Sequence, residues 1–484
     1  MIESGVGVSN QESNKSVESV GVTTLYHENE EWQVNLGDQT IHAKRMPGKF
    51  RTIKNLTEAT WLIFFFGAYL RWNDKQAVLF DITNRQFHFF NLTVLPQDIW
   101  VGSLVLLLFA MTLFAVTTVA SRVFCGFFCF QSSWVDWFTW IEEKIEGNHT
   151  QRQKLSKAPM SLSKIRMKLT KHVIWFALSI FTGISFSVWF VDSRDYWHNL
   201  TTLQLPVIGW VVLTLFTFGT YLLAGFMREQ TCMWLCPYAR IQAVMLDAQS
   251  ILPTYDVARG EPRGKIRRGE PKKDNQGDCI DCYQCVQVCP TGVDIRLGQQ
   301  LGCITCGLCL DACDSIMDKI GRPRGLIRYA SQDEMEGRPV KKLYQHPRVF
   351  VYLAIFLLSF SGIVYGLSHM GALSLRVEPE RQPLFVRMSD GSIQNKYTFK
   401  VLNKTDKDVM VKISAEGGVK DQVIVDADQH KLAIHGKSTA FTVFVRAPDG
   451  NANKEATKLQ FRVENLEDPT MAAEYNTVFN GPKR

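Results

Sequence analysis

The sequence predicts a multi-domain membrane protein. An α-helical transmembrane bundle of about five spans carries a compact cysteine-rich insert of α+β structure and a C-terminal all-β, immunoglobulin-like sandwich. Three observations predict this: long apolar stretches almost free of charge, two closely spaced runs of four cysteines, and a tail of alternating apolar and polar residues. The averages over 484 residues hide the contrast, because 46% hydrophobic residues, 21% charged residues and a net charge of +7 are unremarkable. They exclude a disordered chain, a collagen-like repeat and a small disulfide scaffold.

The transmembrane spans are predicted from length. A helix needs about 20 apolar residues to cross a bilayer core of about 30 Å. A fifth candidate, at about 56–72, is shorter and contains Glu58, but Trp61 and Trp72 flank it as interfacial tryptophans do. A buried soluble helix is the alternative for this fifth stretch. The four stretches that meet the length requirement are 98–120, 173–191, 207–227 and 348–368.

Lysine and arginine counts predict the orientation. Three segments are rich in lysine and arginine: 1–55 has six of these residues, 121–172 has nine and 228–348 has eighteen. Two segments are poor in them: 71–97 has three and 192–205 has one. The positive-inside rule puts the rich segments in the cytoplasm and the tail from about 370 in the periplasm. The chain is therefore expected to begin with a disordered cytoplasmic arm at 1–40, followed by spans 1–4 at 41–227 with a cytoplasmic loop at 121–172. A cytoplasmic region at 228–347 contains the cysteine module at about 270–325. Span 5 at 348–369 and the sandwich at 370–484 follow. The polar start has no apolar h-region, so no cleavable signal peptide is expected.

The strongest motif is the repeated run C-x2-C-x2-C-x3-C. All twelve cysteines fall on the predicted cytoplasmic side, where reduced thiolates are typical of metal or redox ligands. The spacing is that of two-cluster bacterial ferredoxins, in which the fourth cysteine of each run binds the other cluster. Zinc sites or stray thiols are the alternatives, although zinc sites usually have longer gaps between paired cysteines. The expected ligands are Cys279, Cys282, Cys285 and Cys313 for one 4Fe–4S cluster and Cys289, Cys303, Cys306 and Cys309 for the other.

A second constellation consists of two C-x3-C pairs, Cys125 with Cys129 and Cys232 with Cys236, each at the predicted cytoplasmic end of a span. Residues four apart share one face of a helix, so the pairs could converge into a four-thiolate pocket. Soft thiolates select Cu(I), zinc or iron–sulfur clusters. The alternative is that these cysteines are small buried hydrophobic residues. Met227 and Met233 lie nearby, but methionines at span ends more often serve packing.

Other chemistry is disfavoured. None of the ten histidines lies in the middle of a span, which disfavours a bis-histidine haem, and nucleotide-binding glycine motifs are missing. The basic stretch 259–273 is interpreted as an anchor over anionic lipid, and Trp134, Trp137 and Trp140 as one face of an interfacial helix. No nucleic-acid partner is expected.

The tail after Gly371 contains about seven short segments in which apolar and polar residues alternate, separated by turn residues. This pattern predicts an immunoglobulin-like sandwich. It has no cysteine pair, so hydrophobic packing alone must stabilise it, and it is interpreted as a partner-binding or spacing module.

These residues together resemble the bacterial cytochrome c oxidase accessory protein family (CcoG, also called FixG or RdxA) over about residues 40–484. The most selective segments are LFDITNRQFHFF at 79–90, SRVFCGFFCFQSSW at 121–134, TCMWLCPYARIQ at 231–242 and the two ferredoxin motifs. One departure is Phe130, where the family usually has proline after the second cysteine of the first C-x3-C pair. Another is Asp314, where a second proline is common.

The resemblance implies a protein of the bacterial inner membrane that reduces Cu(II) to Cu(I) on the cytoplasmic side for the assembly of cbb(3)-type oxidases. The implied cofactors are two 4Fe–4S clusters, with copper at the C-x3-C cysteines. Implied partners are oxidase assembly factors, copper donors or acceptors and an unidentified electron donor; a homodimer stays open. One alternative is a membrane ferredoxin that relays electrons from a quinol or soluble donor to a periplasmic reductase. Another is an assembly scaffold whose clusters are only structural.

Overall fold

The computed structural model describes residues 41–83, 86–90, 92–94, 98–265, 276–300, 302–340, 345–368, 371–405, 407–417, 422–425, 431–434, 438–448 and 456–482. The predicted N-terminal arm at 1–40 and most of the basic stretch at 259–273 lie outside these residues. The chain forms two compact units. The first contains the described residues up to Asn55 together with Val116–Ile165 and Met227–Pro347, and the second contains Leu56–Ala115, Arg166–Phe226 and the chain from Arg348 onward.

The helices and strands are numbered in chain order. The α-helices are α1 (Lys49–Ala59), α2 (Leu62–Phe66), α3 (Ile99–Ala120), α4 (Val123–Phe127), α5 (Phe130–Glu146), α6 (His149–Lys157), α7 (Leu162–Ser187), α8 (Ser193–Thr201), α9 (Val207–Leu222), α10 (Arg228–Gln230), α11 (Pro237–Met245), α12 (Val257–Gly260), α13 (Gln284–Gln287), α14 (Leu308–Lys319), α15 (Gln332–Met335) and α16 (Pro347–Ser368). The strands are β1 (Arg71–Trp72), β2 (Lys75–Gln76), β3 (Val78–Asp81), β4 (Gln86–Phe89), β5 (Leu92–Val94), β6 (Leu252–Tyr255), β7 (Ile327–Ala330), β8 (Leu373–Pro379), β9 (Val386–Arg387), β10 (Ile393–Asn403), β11 (Val409–Gly417), β12 (Val423–Val425), β13 (Lys431–Ala433), β14 (Ser438–Ala447), β15 (Ala456–Asn465) and β16 (Ala472–Asn480).

Within the described residues, four helical segments are long and apolar enough to cross a membrane. They are Ile99–Ala120, Leu162–Ser187, Val207–Leu235 and Pro347–Ser368. The two helices of 22 residues are about 33 Å long at 1.5 Å per residue, enough for a bilayer core. The second segment begins eleven residues before the predicted 173, because its first turns carry basic side chains that a hydropathy window leaves out.

The predicted span at about 56–72 is not one long helix. The chain there ends α1 at Ala59, continues as α2 and finishes in a 3-10 turn at Gly67–Tyr69. A turn at Thr60 and Trp61 interrupts the helical ladder, so no continuous 18-residue helix forms. Phe65 nevertheless stacks on Phe181 of α7, with ring centroids 4.9 Å apart, so this segment packs against a candidate span.

The cysteine module in the first unit is closed by a short antiparallel pair, β6 with β7. Its small core consists of Tyr255, Met317, Leu326 and Ile327 around cysteines of both runs. The chain before α1 packs on this module: the backbone N–H of Lys44 donates to the carbonyl of Gln287 at 2.7 Å. The Asp311 carboxylate of α14 accepts hydrogen bonds from the backbone N–H groups at the start of α1, at 3.2 and 2.9 Å.

Helix α5 buries charged groups that pair with distant segments. Asp136 accepts hydrogen bonds from Arg45 at 2.9 Å and from Arg51 at 2.8 Å. Glu142 pairs with Arg152 and Arg228 at 3.4 and 2.7 Å. The tryptophans of this helix are not one interfacial stripe: Trp134 is completely buried and stacks on Phe130, with ring centroids 3.7 Å apart, whereas Trp140 is exposed.

The C-terminal residues of the second unit form the predicted sandwich. One sheet has the strand order β12-β14-β10-β8, with β9 also paired to β10, and the other has the order β13-β11-β15-β16. Alternate residues of β10 and β15 point inward, and Tyr397, Phe399, Phe461 and Phe479 are fully buried between the sheets. Hydrophobic packing without a disulfide therefore stabilises this domain, as the alternating pattern predicts. The same unit contains two small antiparallel sheets before α3, β1-β2 and β3-β4-β5.

Candidate functional site

Two cavities of similar size lie in the cysteine module. Both cysteine runs contribute to each cavity. Cys313, the last cysteine of the second run, lies with the first three cysteines of the first run, and Cys289, the last of the first run, lies with the first three of the second. Cys285 lines both, so the cavities are neighbours. The first is lined by Cys279, Cys282, Cys285 and Cys313, and the second by Cys285, Cys289, Cys303, Cys306 and Cys309.

The two cysteine runs wrap their cavities with the same backbone conformation. Asp281 and Tyr283 have φ values of 53° and 56°, and the equivalent residues of the second run, Thr305 and Gly307, have 58° and 74°. Left-handed residues at these positions curl the chain and turn backbone N–H groups toward the centre of the loop. The amides of Thr305 and Leu308 accordingly donate hydrogen bonds to the sulfurs of Cys303 and Cys306. These loops suit an anionic group held by four thiolates, such as a 4Fe–4S cubane.

Three of the thiols that line the cavities are weaker acids than an ordinary cysteine. Burial raises the pKa of Cys285, Cys303 and Cys313 to about 12. Metal ligation needs thiolates, so a bound cluster would displace these protons. No group of three or more His, Cys, Asp or Glu side chains among the described residues is arranged to hold a single metal ion.

The two C-x3-C pairs share one backbone hydrogen bond, although Cys125 lies in the α-helical turn α4 and Cys232 lies in a π-helical turn, Thr231–Leu235. In each, the backbone N–H of the second cysteine donates to the carbonyl of the residue just before the first, at 2.9 Å for Cys129 and 3.0 Å for Cys236. Cys129 is the N-cap of the 17-residue helix α5 and Cys236 is the N-cap of the nine-residue α11, both in extended conformation. Pro237 is the first residue of α11, and Phe130 takes the equivalent place in α5 without changing the turn.

The structure brings the four C-x3-C cysteines together in the first unit. Cys232 lies within electrostatic range of Cys125, Cys129 and Cys236. Burial, and next the neighbouring Cys129, raise the pKa of Cys125 to about 12. The Cys125 thiol donates to the Gln242 side-chain oxygen at 3.3 Å. We call these four residues the cysteine quartet; they are neighbours but do not form a closed single-ion site.

The quartet adjoins the second cavity. Cys125 packs against a buried cluster that contains Ile304 and Cys306. Gly126 allows the close approach, because a Cβ there would lie 2.7 Å from the carbonyl oxygen of Ile304 and 2.9 Å from the Cα of Cys306. The side chain of Arg122 lies within electrostatic range of both Cys125 and Cys303. The first C-x3-C pair is therefore in direct contact with a loop that lines the second cavity.

Sequence reasoning missed three polar residues of this region. Lys54 is 1% exposed and its ammonium lies 3.4 Å from the carbonyl oxygen of Gly126. Arg122 is also buried and donates to the carbonyl of Ala239 at 2.6 Å. Gln242 is fully buried beside Cys125. The sequence offers only a weak signal for them, since Lys54 looks like one more charge of a basic membrane-flanking segment.

Comparison with known proteins agrees with this architecture. Residues 227–332 match the family described as a 4Fe-4S dicluster domain, and residues 363–482 match the Ig-like fold at the C-terminus of FixG. The chain is 36% identical over 454 residues to the nitrogen fixation protein FixG of Rhizobium meliloti, covering 85% of this chain and 87% of that protein. It is 35% identical to RdxB of Cereibacter sphaeroides, covering 92% and 96%, and 35% identical to RdxA of the same organism, covering 89% and 94%.

Among solved structures, a FixG-related protein from Vibrio parahaemolyticus matches 23% of this chain and 97% of its own, at 20% identity and a TM-score of 0.21, which carries no argument about the fold. The matches to FixG, RdxB and RdxA at 35–36% identity over most of the chain show the family, and the apolar helices and paired cysteine runs agree with them. The chain therefore belongs to the FixG family, and it is a membrane protein with a 4Fe–4S dicluster domain and a redox role.

Proposed function

We propose that this protein reduces Cu(II) to Cu(I) on the cytoplasmic side of the bacterial inner membrane, for the assembly of cbb(3)-type oxidases. The observation that carries the proposal is the position of the quartet, whose member Cys125, with the adjacent Gly126, packs against the wall of the second cavity. A copper ion at the quartet would be a short distance from an electron-transfer cofactor. Thiolates favour Cu(I) over Cu(II), so the same residues that bind the ion also favour its reduction.

The cysteine module would hold two 4Fe–4S clusters, which supply one-electron transfer when bound. In this assignment Cys279, Cys282, Cys285 and Cys313 hold the first cluster, and Cys289, Cys303, Cys306 and Cys309 hold the second. Cys285 faces both cavities, and we assign it to the first because the second has four other cysteines. The left-handed turns at Asp281 and Thr305 keep the loops curled around each cavity.

The quartet would bind copper as thiolates. Cys129 and Cys236 begin helices, so the partial positive charge of each helix N-terminus lies beside the proposed copper ligands. The reaction needs one electron for each copper ion, Cu(II) becoming Cu(I), and no proton is taken up by the metal. A reduced soluble protein of the flavoprotein or ferredoxin class would supply that electron through the cysteine module.

The orientation belongs to the same proposal. The basic residues of the segments around the cysteines support a cytoplasmic first unit, and the charge-poor connections support a periplasmic sandwich. The reduced ion would then pass to a copper acceptor among the oxidase assembly factors, and the sandwich would contact periplasmic partners. Membrane lipids surround the apolar helices.

The test is single-turnover copper reduction by the purified full-length protein. The protein is reduced anaerobically with dithionite, freed of excess reductant and mixed with Cu(II), and Cu(I) is measured with a chromogenic cuprous chelator. We expect about two Cu(I) per chain, one electron from each cluster. The double variant Cys129→Ser with Cys236→Ser should keep its iron but lose rapid reduction. Met233→Leu, a change inside the second C-x3-C pair that removes a soft sulfur but no thiol, is the matched control and should behave as wild type.

Two outcomes would overturn the proposal: rapid copper reduction in the double variant, or none in the wild-type protein with intact clusters. Deletion of the gene separates the proposal from its alternatives. Loss of oxidase activity that added copper restores supports copper reduction. Loss of a periplasmic reductase activity supports an electron relay. Clusters that cannot be reduced and reoxidised in the purified, folded protein support a scaffold.

A further inference from the structure

We propose that fixed charges of this chain give the two clusters different reduction potentials, so that electrons enter through the first cavity and collect in the second, beside the quartet. Lys54 makes the second site easier to reduce, and Asp314 makes the first harder to reduce. The inference rests on the proposed cysteine ligands but not on copper as the substrate. It assigns a direction to the dicluster and a role to two charged residues outside the ligand set.

The second cavity has buried positive charge behind it. The ammonium of Lys54 lies 3.4 Å from the carbonyl oxygen of Gly126, and Gly126 touches the backbone of Cys306. Two carboxylates lie close to these cations. Asp311 accepts hydrogen bonds from the backbone N–H groups of Phe50 and Arg51, and Asp136 is buried, which alone would raise its pKa. Lys54, Arg51 and Arg45 together lower that pKa below its ordinary value, so three cations surround one carboxylate. A nearby positive charge stabilises the more negative, reduced state of a cluster.

Two further features act in the same direction at the second cavity. Arg122 is buried within electrostatic range of Cys303. Backbone N–H groups donate to the sulfurs of Cys303 and Cys306. Hydrogen bonds to ligand sulfurs and a positive surrounding field both raise the reduction potential of an iron–sulfur site.

The first cavity has the opposite balance. Arg296 lines it, but two carboxylates neutralise this guanidinium, Asp294 at 2.6 Å and Asp281 at 2.5 Å. Asp314 directly follows Cys313 in α14, so its carboxylate adds a negative charge beside this proposed ligand; it accepts a hydrogen bond from the backbone N–H of Gly325 at 2.9 Å. Asp278 beside Cys279 pairs with two arginines. Arg296 is the charged residue of the lining, and just outside it the four carboxylates named here face Arg296 and the two arginines paired with Asp278, so negative charge exceeds positive charge by one, which disfavours the reduced state.

The positions of the cavities match this order. Tyr283 lines the first cavity and is 48% exposed, with the guanidinium of Arg296 3.9 Å from its ring centroid. A soluble donor can therefore reach the rim of the first cavity through this side chain. The second cavity instead meets the quartet through Gly126. Cys285 lines both cavities and is the shared wall between them.

The test is a redox titration of the anaerobic full-length protein, followed by electron paramagnetic resonance of its reduced clusters. We expect two midpoint potentials in the wild type. Lys54→Met should lower only the higher midpoint, by a roughly tenfold change in the reduction equilibrium, which is about 59 mV for a one-electron couple. Asp314→Asn should raise only the lower midpoint by a similar amount. Lys54→Arg keeps the charge and should restore the wild-type value.

Matched controls change the same charges at exposed positions. Lys49→Met removes a charge from the same helix as Lys54, and Asp318→Asn removes one from α14, one turn beyond Asp314. Neither should move a midpoint. If Lys54→Met does not fold, Arg122→Gln tests the same prediction for the higher midpoint.

Equal midpoints in the wild type, or a Lys54 variant that moves the lower midpoint or neither, would overturn the inference. The failure of the proposed function is separate from this result. Absent copper reduction with the two midpoints in the expected order would refute copper reduction alone. Normal copper reduction with equal midpoints would refute only the proposed direction of electron flow from the first cluster to the second.

Discussion

Replacing Gly126 with alanine tests the contact between the first C-x3-C pair and the second cavity. A Cβ at this position would lie 2.7 Å from the carbonyl oxygen of Ile304 and 2.9 and 3.0 Å from the Cα and N of Cys306. All three atoms belong to the backbone, so no side-chain rotation can relieve the overlap. Helix α4 or the loop that carries Cys306 must shift by several tenths of an ångström.

The size of the effect follows from two opposing contributions. Alanine in place of glycine normally stabilises a helix by about 0.5–1 kcal/mol. Forcing an extra carbon into a close-packed contact costs about 1–3 kcal/mol. The net effect of Gly126→Ala is therefore a loss of about 1–2 kcal/mol, together with a longer gap between the quartet and the second cavity. Because electron transfer slows steeply with distance, single-turnover copper reduction should become several-fold slower while iron content stays normal.

Thermal unfolding in detergent, iron analysis and stopped-flow copper reduction together measure these effects. Gly102→Ala in α3 is the matched control, because a Cβ there meets nothing within 4 Å. That variant should unfold no earlier than the wild type and reduce copper at the same rate. A Gly126→Ala protein with wild-type stability and wild-type rate would refute the packing of α4 against the cysteine loop.

Three further predictions concern the folding of the two units. Asp136→Asn leaves the buried Arg51 and Lys54 and the half-buried Arg45 without this carboxylate and should cost about 3–5 kcal/mol, seen as earlier thermal unfolding; an unchanged transition would contradict the buried network. Asp311→Ala removes the acceptor for the first amides of α1 and should cost about 1 kcal/mol, whereas Asp318→Ala, which breaks an exposed ion pair of the same helix, should unfold like the wild type; equal unfolding temperatures of the two variants would contradict this contact. Removing iron with a chelator should abolish hydrogen-exchange protection of residues 276–325 and leave β10 and β15 protected; equal loss in both regions would contradict the independent core of the sandwich.

The parts of the fold that follow from local patterns could be predicted from the sequence. Alternation with a period of two marks β10 and β15 because each strand has one face toward the core. The repeated cysteine spacing predicts a compact module because a short run can wrap a cavity without help from distant residues. The break at Thr60 and Trp61 could not be predicted in this way, since hydropathy reports composition and not the continuity of a helical ladder.

The charged residues behind the site show a second limit. Arg51 and Lys54 resemble the flanking charges of a membrane segment, yet both are buried, and Arg51 pairs with Asp136, which is 85 positions away. A count of charges contains no information about partners at that separation. Gln242 and Arg122 are inconspicuous for the same reason: their importance comes from the sulfurs that the fold brings beside them.

The shared geometry of the two C-x3-C turns bears on the unusual Phe130. At Cys236 a proline ring fixes the backbone at the helix start, and at Cys129 the same bend forms without one. There the aromatic ring stacked on Trp134 anchors the first residue of α5 instead. The turn at Cys236 is made rigid by the covalent ring of Pro237, and the turn at Cys129 is made rigid by the packing of Phe130 on Trp134. The two turns should consequently differ in how they respond to heat or detergent, with the first loosening as its aromatic stack melts and the second keeping its shape.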